Sequence, residues 1–459
     1  MSRKWMLMGM CCLIATGLFA SAAFAAPSVK VADGRVTIQE AVTDEIVAEA
    51  KKGLGDSKNI DISFSKFGTN EDLAKICAAF PNMKGLTIDG PKDLTDITPL
   101  ANMKDLASLI IRGGNVANFG PLSELTGLSH LRISSTGQEN GMLSPDLKWM
   151  SKLTNLSTLE IGAPRELGTL VSFEGIPAAP KLSSAAFKGG KPADLTPLQA
   201  LSKLKSLDLT GSTIADLTPL TGIPLLEKLS LYGVDVRDFS PLAGCKALKE
   251  LVYYATKDSD YSTLGKVTQV QLLQGGLTKL DDIAWIVNLG KLKKYSLFAE
   301  PVADYSPLAK TPVEDLQIWK MNIPAKLDQL SGVVTVKKLK LWDLKVEGSF
   351  DGLGTLVNVE ELILDGMNAK DGSPADLAFV KSFAKLKVLT INKSEISNFD
   401  AVANCAALEK VVLYQPTGIE SLAALKGLPN LKELQVPKDK FPADQLTGFA
   451  NPNIKIAQR

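Results

Sequence analysis

The sequence predicts an α/β solenoid: a right-handed coil with a curved parallel sheet on its concave face and short helical or 3₁₀ turns on its convex face. Three observations predict it. A motif recurs every 22 residues, apolar residues alternate with polar ones ahead of each recurrence, and a hydroxyl residue followed by proline marks the return segment.

The period comes first. Asp-Leu-Thr-Pro-Leu stands at 194–198 and 216–220, then Asp-Phe-Ser-Pro-Leu at 238–242 and Asp-Tyr-Ser-Thr-Leu at 260–264. The frame continues through Asp282-Ile283, Asp304 to Leu308 and Lys326 to Leu330, and backwards to Ser172-Phe173. Looser spacing brings in Asp72, Asp96, Asn118 and Asp146 before it, and Ser349, Asp376, Asn398 and Ser421 after it. Insertions near 137–146 and 366–376 stretch single units and predict rim loops. The array has about sixteen units, which at ~4.8 Å per strand form an arc on the order of 75 Å.

Each unit yields one strand and one turn. From Leu204 to Thr210 the two-residue alternation around Leu207 and Leu209 is that of a half-buried strand. Gly211-Ser212-Thr213 turns the chain. Thr218 ahead of Pro219 then predicts a helical start, with the hydroxyl capping free amides and proline at the first helical position. No unit buries its leucines alone, so the coils must stack.

Residues 26–57 depart from the repeat and predict an N-terminal cap, with helical spacing from Val36 to Gly53 and a first strand around Asn59–Ser63. The array then runs over 58–436, and 437–459 is a C-terminal cap with a last strand at Ile454–Ile456. Ahead of all this, Arg3 and Lys4 precede an uncharged run and the small residues Ala23-Phe24-Ala25. That order predicts a secretory signal peptide over 1–25, cleaved after Ala25, with an uncleaved anchor as the alternative. Cys11 and Cys12 follow a poor lipobox and leave with it. The product is expected to be periplasmic or secreted.

Composition narrows the function. The remaining chain keeps 49 of the 51 basic residues against 50 acidic ones, which gives no electrostatic case for nucleic acid or an anionic membrane. No second apolar segment is long enough to span a bilayer. Cys77, Cys245 and Cys405 are an odd, widely spaced set and no disulfide framework.

The frame Leu-x-x-Leu-x-x-Leu-x-Leu-x-x-x-x-Ile-x-Asp-Leu-Thr-Pro-Leu, from Leu201 to Leu220, resembles the 22-residue leucine-rich repeats of internalin-like bacterial proteins. The resemblance covers roughly 58–436 and implies a protein-binding solenoid. Two departures stand out. Where such repeats place Asn after the strand, this chain has Ser212, Val234, Thr136, Pro164, Met321 and Leu344, so irregular turns and bound water are expected. A wall anchor is also missing.

No catalytic set emerges, and no enzyme is expected. His130, the one histidine, has no motif around it, and phosphate loops, His-Glu-x-x-His and Cys-x-x-Cys are all absent, so neither metal nor cofactor is predicted. The recurring Asp could form a calcium ladder, but a lone carboxylate per unit fits a turn or cap better. The feature that points to binding is on the concave side. The second outward position of the strand is aromatic at Tyr232, Tyr254, Phe298, Trp319, Trp342 and, further on, Tyr414. Lys340, Ser230, Gln317, Thr390 and Gln435 lie beside this discontinuous stripe, and Arg112, Arg132 and Lys188 make the N-terminal half basic. Exposed aromatics mark interfaces. The expected partner is a host or envelope protein with an acidic and an apolar segment, held around 230–345. The alternative is a carbohydrate or envelope polymer stacking on the rings.

Overall fold

The computed structural model describes residues 29–459, apart from 56, 58–59, 66–67, 91–92, 135–145, 163–169, 177–178, 193, 215, 255–259, 277–282, 299–301, 303 and 320–324. The signal-peptide stretch, Asp282, Thr136, Pro164, Met321 and nearly all of the 137–146 insertion lie outside the described residues.

One sheet of 20 strands, counted among the described residues, runs the length of the chain. Its strands pair in parallel from Arg35–Ile38 to Lys455–Gln458, each with the strand of the next coil, as in Leu229↔Leu251↔Leu273↔Tyr295↔Leu316↔Leu339. The inward column is buried: Leu229, Leu251, Leu273 and Leu339 are 1% exposed or less. Burying one such side chain stabilises by about 1.5–3 kcal/mol, and the core is the sum of these columns.

On the other side of most coils lies a 3₁₀ turn, with proline in the first turn at Thr196–Ala200, Thr218–Gly222, Ser240–Gly244 and Ser306–Lys310. The threonine and serine hydroxyls do not cap these turns, contrary to the sequence expectation. The recurring aspartate does so instead: the amides of Thr196, Thr218, Ser240 and Ser306 donate to Asp194, Asp216, Asp238 and Asp304 at 2.7–2.8 Å. Carboxylates form stronger, charge-assisted bonds than hydroxyls and span the same two-residue turn. The hydroxyls of Thr196 and Thr218, then their amides, hold Asp194 and Asp216 below the usual carboxylate range.

The first 30 described residues correct the expected helix over Val36–Gly53. Val29–Ala32 and Arg35–Ile38 form an antiparallel hairpin, and the helix covers Asp44–Leu54. Asp33 and Gly34 both have positive φ (50° and 78°), the conformation a two-residue hairpin turn requires. Val36 and Ile38 are buried in period two, not 3.6. Thr43 caps the helix, and a second helix, Asn70–Ala79, starts from a capping box of Thr69 and Asp72. The 366–376 insertion adds two short pairings, Lys345–Val346 with Asn368–Ala369 and Ala375–Asp376 with Ile396–Ser397.

The missing asparagines are replaced in two ways. Ser212 is buried and its hydroxyl donates to the Phe187 carbonyl at 2.8 Å, while Ser394 accepts from the Met367 amide at 3.0 Å. Val234 and Leu344 simply pack as apolar residues at 1% exposure or less. Cys77, Cys245 and Cys405 are free and buried, and burial pushes the Cys245 and Cys405 thiols up to about 11.

Candidate binding surface

Parallel register carries the aromatic positions onto one line. Tyr232 pairs with Tyr254, Tyr254 with Gly276, Gly276 with Phe298, Phe298 with Trp319 and Trp319 with Trp342. The rings meet. Tyr232, Tyr254 and Phe298 form a compact trio of near-parallel rings with centroids 5.2, 5.6 and 6.1 Å apart. Phe298 then contacts Trp319 at 5.8 Å, and Trp319 meets Trp342 edge-on at 5.1 Å. Five rings thus form a continuous surface where the sequence indicated a discontinuous stripe. Tyr414 stands apart, because Asp365 and Asn392 occupy the two strands between it and Trp342.

Continuity depends on a residue that the sequence reading passed over. Gly276 falls at the aromatic position, and a Cβ there would sit 2.6 Å from the Tyr254 ring and 2.6 Å from the Phe298 carbonyl oxygen. Without it, Phe298 and Tyr254 close over the gap, 6° from parallel. Gly275 does the same for the interior. A Cβ there would lie 2.3 Å from the Tyr253 ring, which fills the core beside Tyr261, with Tyr295 paired opposite Gly275's neighbour in the inward column. Tyr253, Tyr261, Tyr295 and Tyr305 are all buried, and burial pushes the Tyr253 phenol well above its ordinary value. The signal was the Gly-Gly pair itself, where every neighbouring coil carries bulk.

On the described strands of this face most charges have an opposite neighbour. Across the seven strands from Lys228–Tyr232 to Glu361–Asp365 there are four lysines (Lys228, Lys294, Lys338, Lys340) and four carboxylates (Glu250, Asp315, Glu361, Asp365). Lys228 pairs with Glu250 at 2.8 Å, Lys294 with Asp315 at 3.6 Å, and Lys338 and Lys340 with Glu361 at 3.3 and 3.8 Å. Asp365 accepts from Asn392 at 2.7 Å. Between the lines run the uncharged Ser230, Val252, Gln274, Ser296 and Gln317. Among the described residues, the Ser296 hydroxyl and the Trp319 indole nitrogen are buried and have no hydrogen-bond partner.

The expected basic N-terminal half is corrected by the same observation. Arg112 meets Asp89 at 3.4 Å, Arg132 meets Glu160 at 3.3 Å, and Lys188 lies between Glu160 at 2.9 Å and Asp208 at 3.5 Å. The carboxylates stand one strand away, some 20–28 residues off in sequence, where a reading of single units does not look. Thr390 and Gln435 lie well beyond the rings, and Gln435 donates to Glu433. His130 is exposed and its Nδ1 is 2.8 Å from the Ser129 hydroxyl. Among the described residues, no group of His, Cys, Asp and Glu is arranged to hold a metal ion, and no helix is long and apolar enough to cross a membrane.

No protein-family model matches the sequence, and no curated protein matches it. Solved structures do. A leucine-rich-repeat protein of Leptospira interrogans is similar over 91% of this chain and 99% of its own, at 15% identity and a TM-score of 0.54. Toll of Drosophila, in its complex with Spätzle, is similar over 92% of this chain and 60% of its own, at 14% identity and a TM-score of 0.57. An internalin of Listeria monocytogenes aligns over 81% of this chain and 88% of its own, at 19% identity and a TM-score of 0.43. With one parallel strand per coil backed mostly by a 3₁₀ turn, and with these structural relatives, the chain has the leucine-rich-repeat solenoid fold.

Proposed function

We propose that this chain is an exported, non-catalytic protein-binding module that holds a protein partner on its concave face, across Tyr232, Tyr254, Phe298, Trp319, Lys340 and Trp342. The observation that carries this reading is the continuous five-ring surface. Clustered aromatics with few free charges make up the energetic centre of protein interfaces. Toll, among the similar structures, is in complex with Spätzle. The carbohydrate alternative needs open ring faces, and the near-parallel packing of Tyr232, Tyr254 and Phe298 turns part of those faces onto one another. Export rests on the Arg3-Lys4, apolar, Ala23-Phe24-Ala25 order at the N-terminus.

The test compares the wild-type chain with a Tyr254→Ala, Trp319→Ala, Trp342→Ala variant in pull-downs from envelope extract and host-cell lysate, with circular dichroism as folding control. The variant is expected to fold and to lose one reproducible protein partner. Equal capture by both forms removes the concave face as the site. Binding confined to the wild type on a glycan array turns the reading to a polysaccharide.

A further inference from the structure

The concave face carries a second feature near its N-terminal end. The strands Arg35–Ile38, Asp61–Ser65, Gly85–Asp89 and Ser108–Arg112 pair in parallel, and register sets their outward positions in two rows. Arg35, Asp61, Gly85 and Ser108 form one row, with Thr37, Ser63, Thr87 and Ile110 beside it. Small side chains leave a hollow of about 390 Å³ over these rows, within the size range of small-molecule sites. The strand that follows bears the larger His130 and Arg132 at the same positions.

Gly85 shapes the hollow. A Cβ there would collide with Asp61 Oδ1, so only glycine lets that carboxylate lie across the sheet. Asp61 Oδ2 is 3.7 Å from Arg35 Nε, too long for a hydrogen bond, and the two side chains are 49% and 80% exposed. Both groups therefore keep hydrogen-bonding capacity. So do the half-buried hydroxyls of Thr37, Ser63, Thr87 and Ser108, which have no hydrogen-bond partner among the described residues. Elsewhere the sheet uses hydroxyls internally: Ser129, Ser157 and Ser183 donate to carbonyls of the preceding coil at 2.9–3.2 Å.

Hydroxyls that donate or accept, a carboxylate that only accepts and a guanidinium that only donates suit a ligand with both kinds of group on several sides. An apolar ligand would strip water from them and return no hydrogen bonds. Asp61 is the one carboxylate among the described residues lining the hollow, too few for a metal ion. A sugar ring has the matching character, with hydroxyls around its rim and C–H bonds on its faces, and Ile110 and the threonine methyl groups supply the apolar counterpart. We propose that this hollow is a saccharide site that takes a neutral sugar unit, with Asp61 accepting from the sugar's hydroxyls. It is independent of the protein-binding reading, since four strands lie between Ser108–Arg112 and Lys228–Tyr232, a separation of about 24 Å along the axis.

The experiment records saturation-transfer NMR on the full chain with glucose, galactose, mannose, N-acetylglucosamine, maltose, lactose and chitobiose, then titrates those that respond. At least one sugar is expected to respond. Its affinity should fall at least about tenfold on Asp61→Asn, which keeps the side chain's shape and removes its charge. Gly85→Ala should weaken the same sugar by displacing the carboxylate, and Thr87→Val by deleting one hydroxyl, with circular dichroism checking the fold of each variant. The Tyr254→Ala, Trp319→Ala, Trp342→Ala variant should bind the sugar as wild type does. Response to monosaccharides supports a free sugar as ligand, and response confined to the disaccharides supports a unit within a glycan chain. Silence from every sugar, or a response that Asp61→Asn and Gly85→Ala leave unchanged, overturns the proposal and does not touch the protein-binding reading. Glycine and glutamate serve as controls, because a zwitterion can bridge Arg35 and Asp61 by charge alone; their binding in place of sugars also overturns it. Loss of the sugar on the ring variant, with Asp61→Asn neutral, moves the carbohydrate to the rings.

Discussion

At Asp216 the carboxylate, not the neighbouring Thr218 hydroxyl, terminates the chain's turn: Oδ1 accepts from the Thr218 amide at 2.8 Å. Asp216→Ala leaves that amide without its cap and is expected to destabilise the array by about 0.5–2 kcal/mol, read as a lower denaturant midpoint. A second residue, Glu314, sits between Lys293 at 2.7 Å and Lys337 at 2.8 Å, and their hydrogen bonds lower its carboxyl to about 2. A carboxyl lowered by folding contributes stability that is present above its ordinary value of 4.5 and is lost as pH falls towards about 2. Glu314 is solvent-exposed, so screening keeps that contribution small and the titration itself is the sharper readout. The side-chain carbon resonance should titrate well below the usual range, and Lys293→Ala with Lys337→Ala should return it towards 4.5. Aspartates such as Asp216 were legible as turn residues from their 22-residue recurrence. The partners of Arg132 and Lys188 were not, because they lie one coil away and only the register brings them together.

Among the elements, the Leu272–Gly276 strand is the one on which the ring surface depends. Gly276→Ala places a methyl group against the Tyr254 ring and the Phe298 carbonyl and should cost about 1–3 kcal/mol as an overpacking change. Part of that cost belongs to the ring, so Gly276→Ala should be less damaging in a Tyr254→Ala background; equal losses in the two backgrounds would assign the whole effect to the backbone contact. Strands of the array were legible because apolar residues alternate with other residues in nearly every coil. The N-terminal hairpin was not, because its two four-residue strands are too short to show a period, although Asp33-Gly34 announced the turn. The Tyr232, Tyr254, Phe298, Trp319 and Trp342 positions were read correctly as one column, while their continuity required knowing that Phe298 leans across the Gly276 gap.

For the molecule as a whole, stability is a sum over coils and the contacts between neighbouring coils. Leu251 is completely buried at the middle of the array. Leu251→Ala should therefore cost about 2–5 kcal/mol. Because each coil touches only its neighbours, the loss should also uncouple the two halves, and calorimetry should show a broadened or split transition instead of a uniformly shifted one.

One edge of the sheet carries an alternating row of charge. The residues that enter successive strands, each amide bonded to the carbonyl of the previous coil, read Lys293, Glu314, Lys337, Glu360, Lys387, Glu409, Lys432. Lys293–Glu314, Glu314–Lys337, Glu360–Lys387 and Glu409–Lys432 are ion pairs of 2.7–2.8 Å. A recombination event that deletes or duplicates a single coil here sets like charges side by side, whereas an event involving two coils restores the alternation. Over this stretch the alternation survives a change of coil number only in steps of two, a preference set by the small energy of exposed ion pairs.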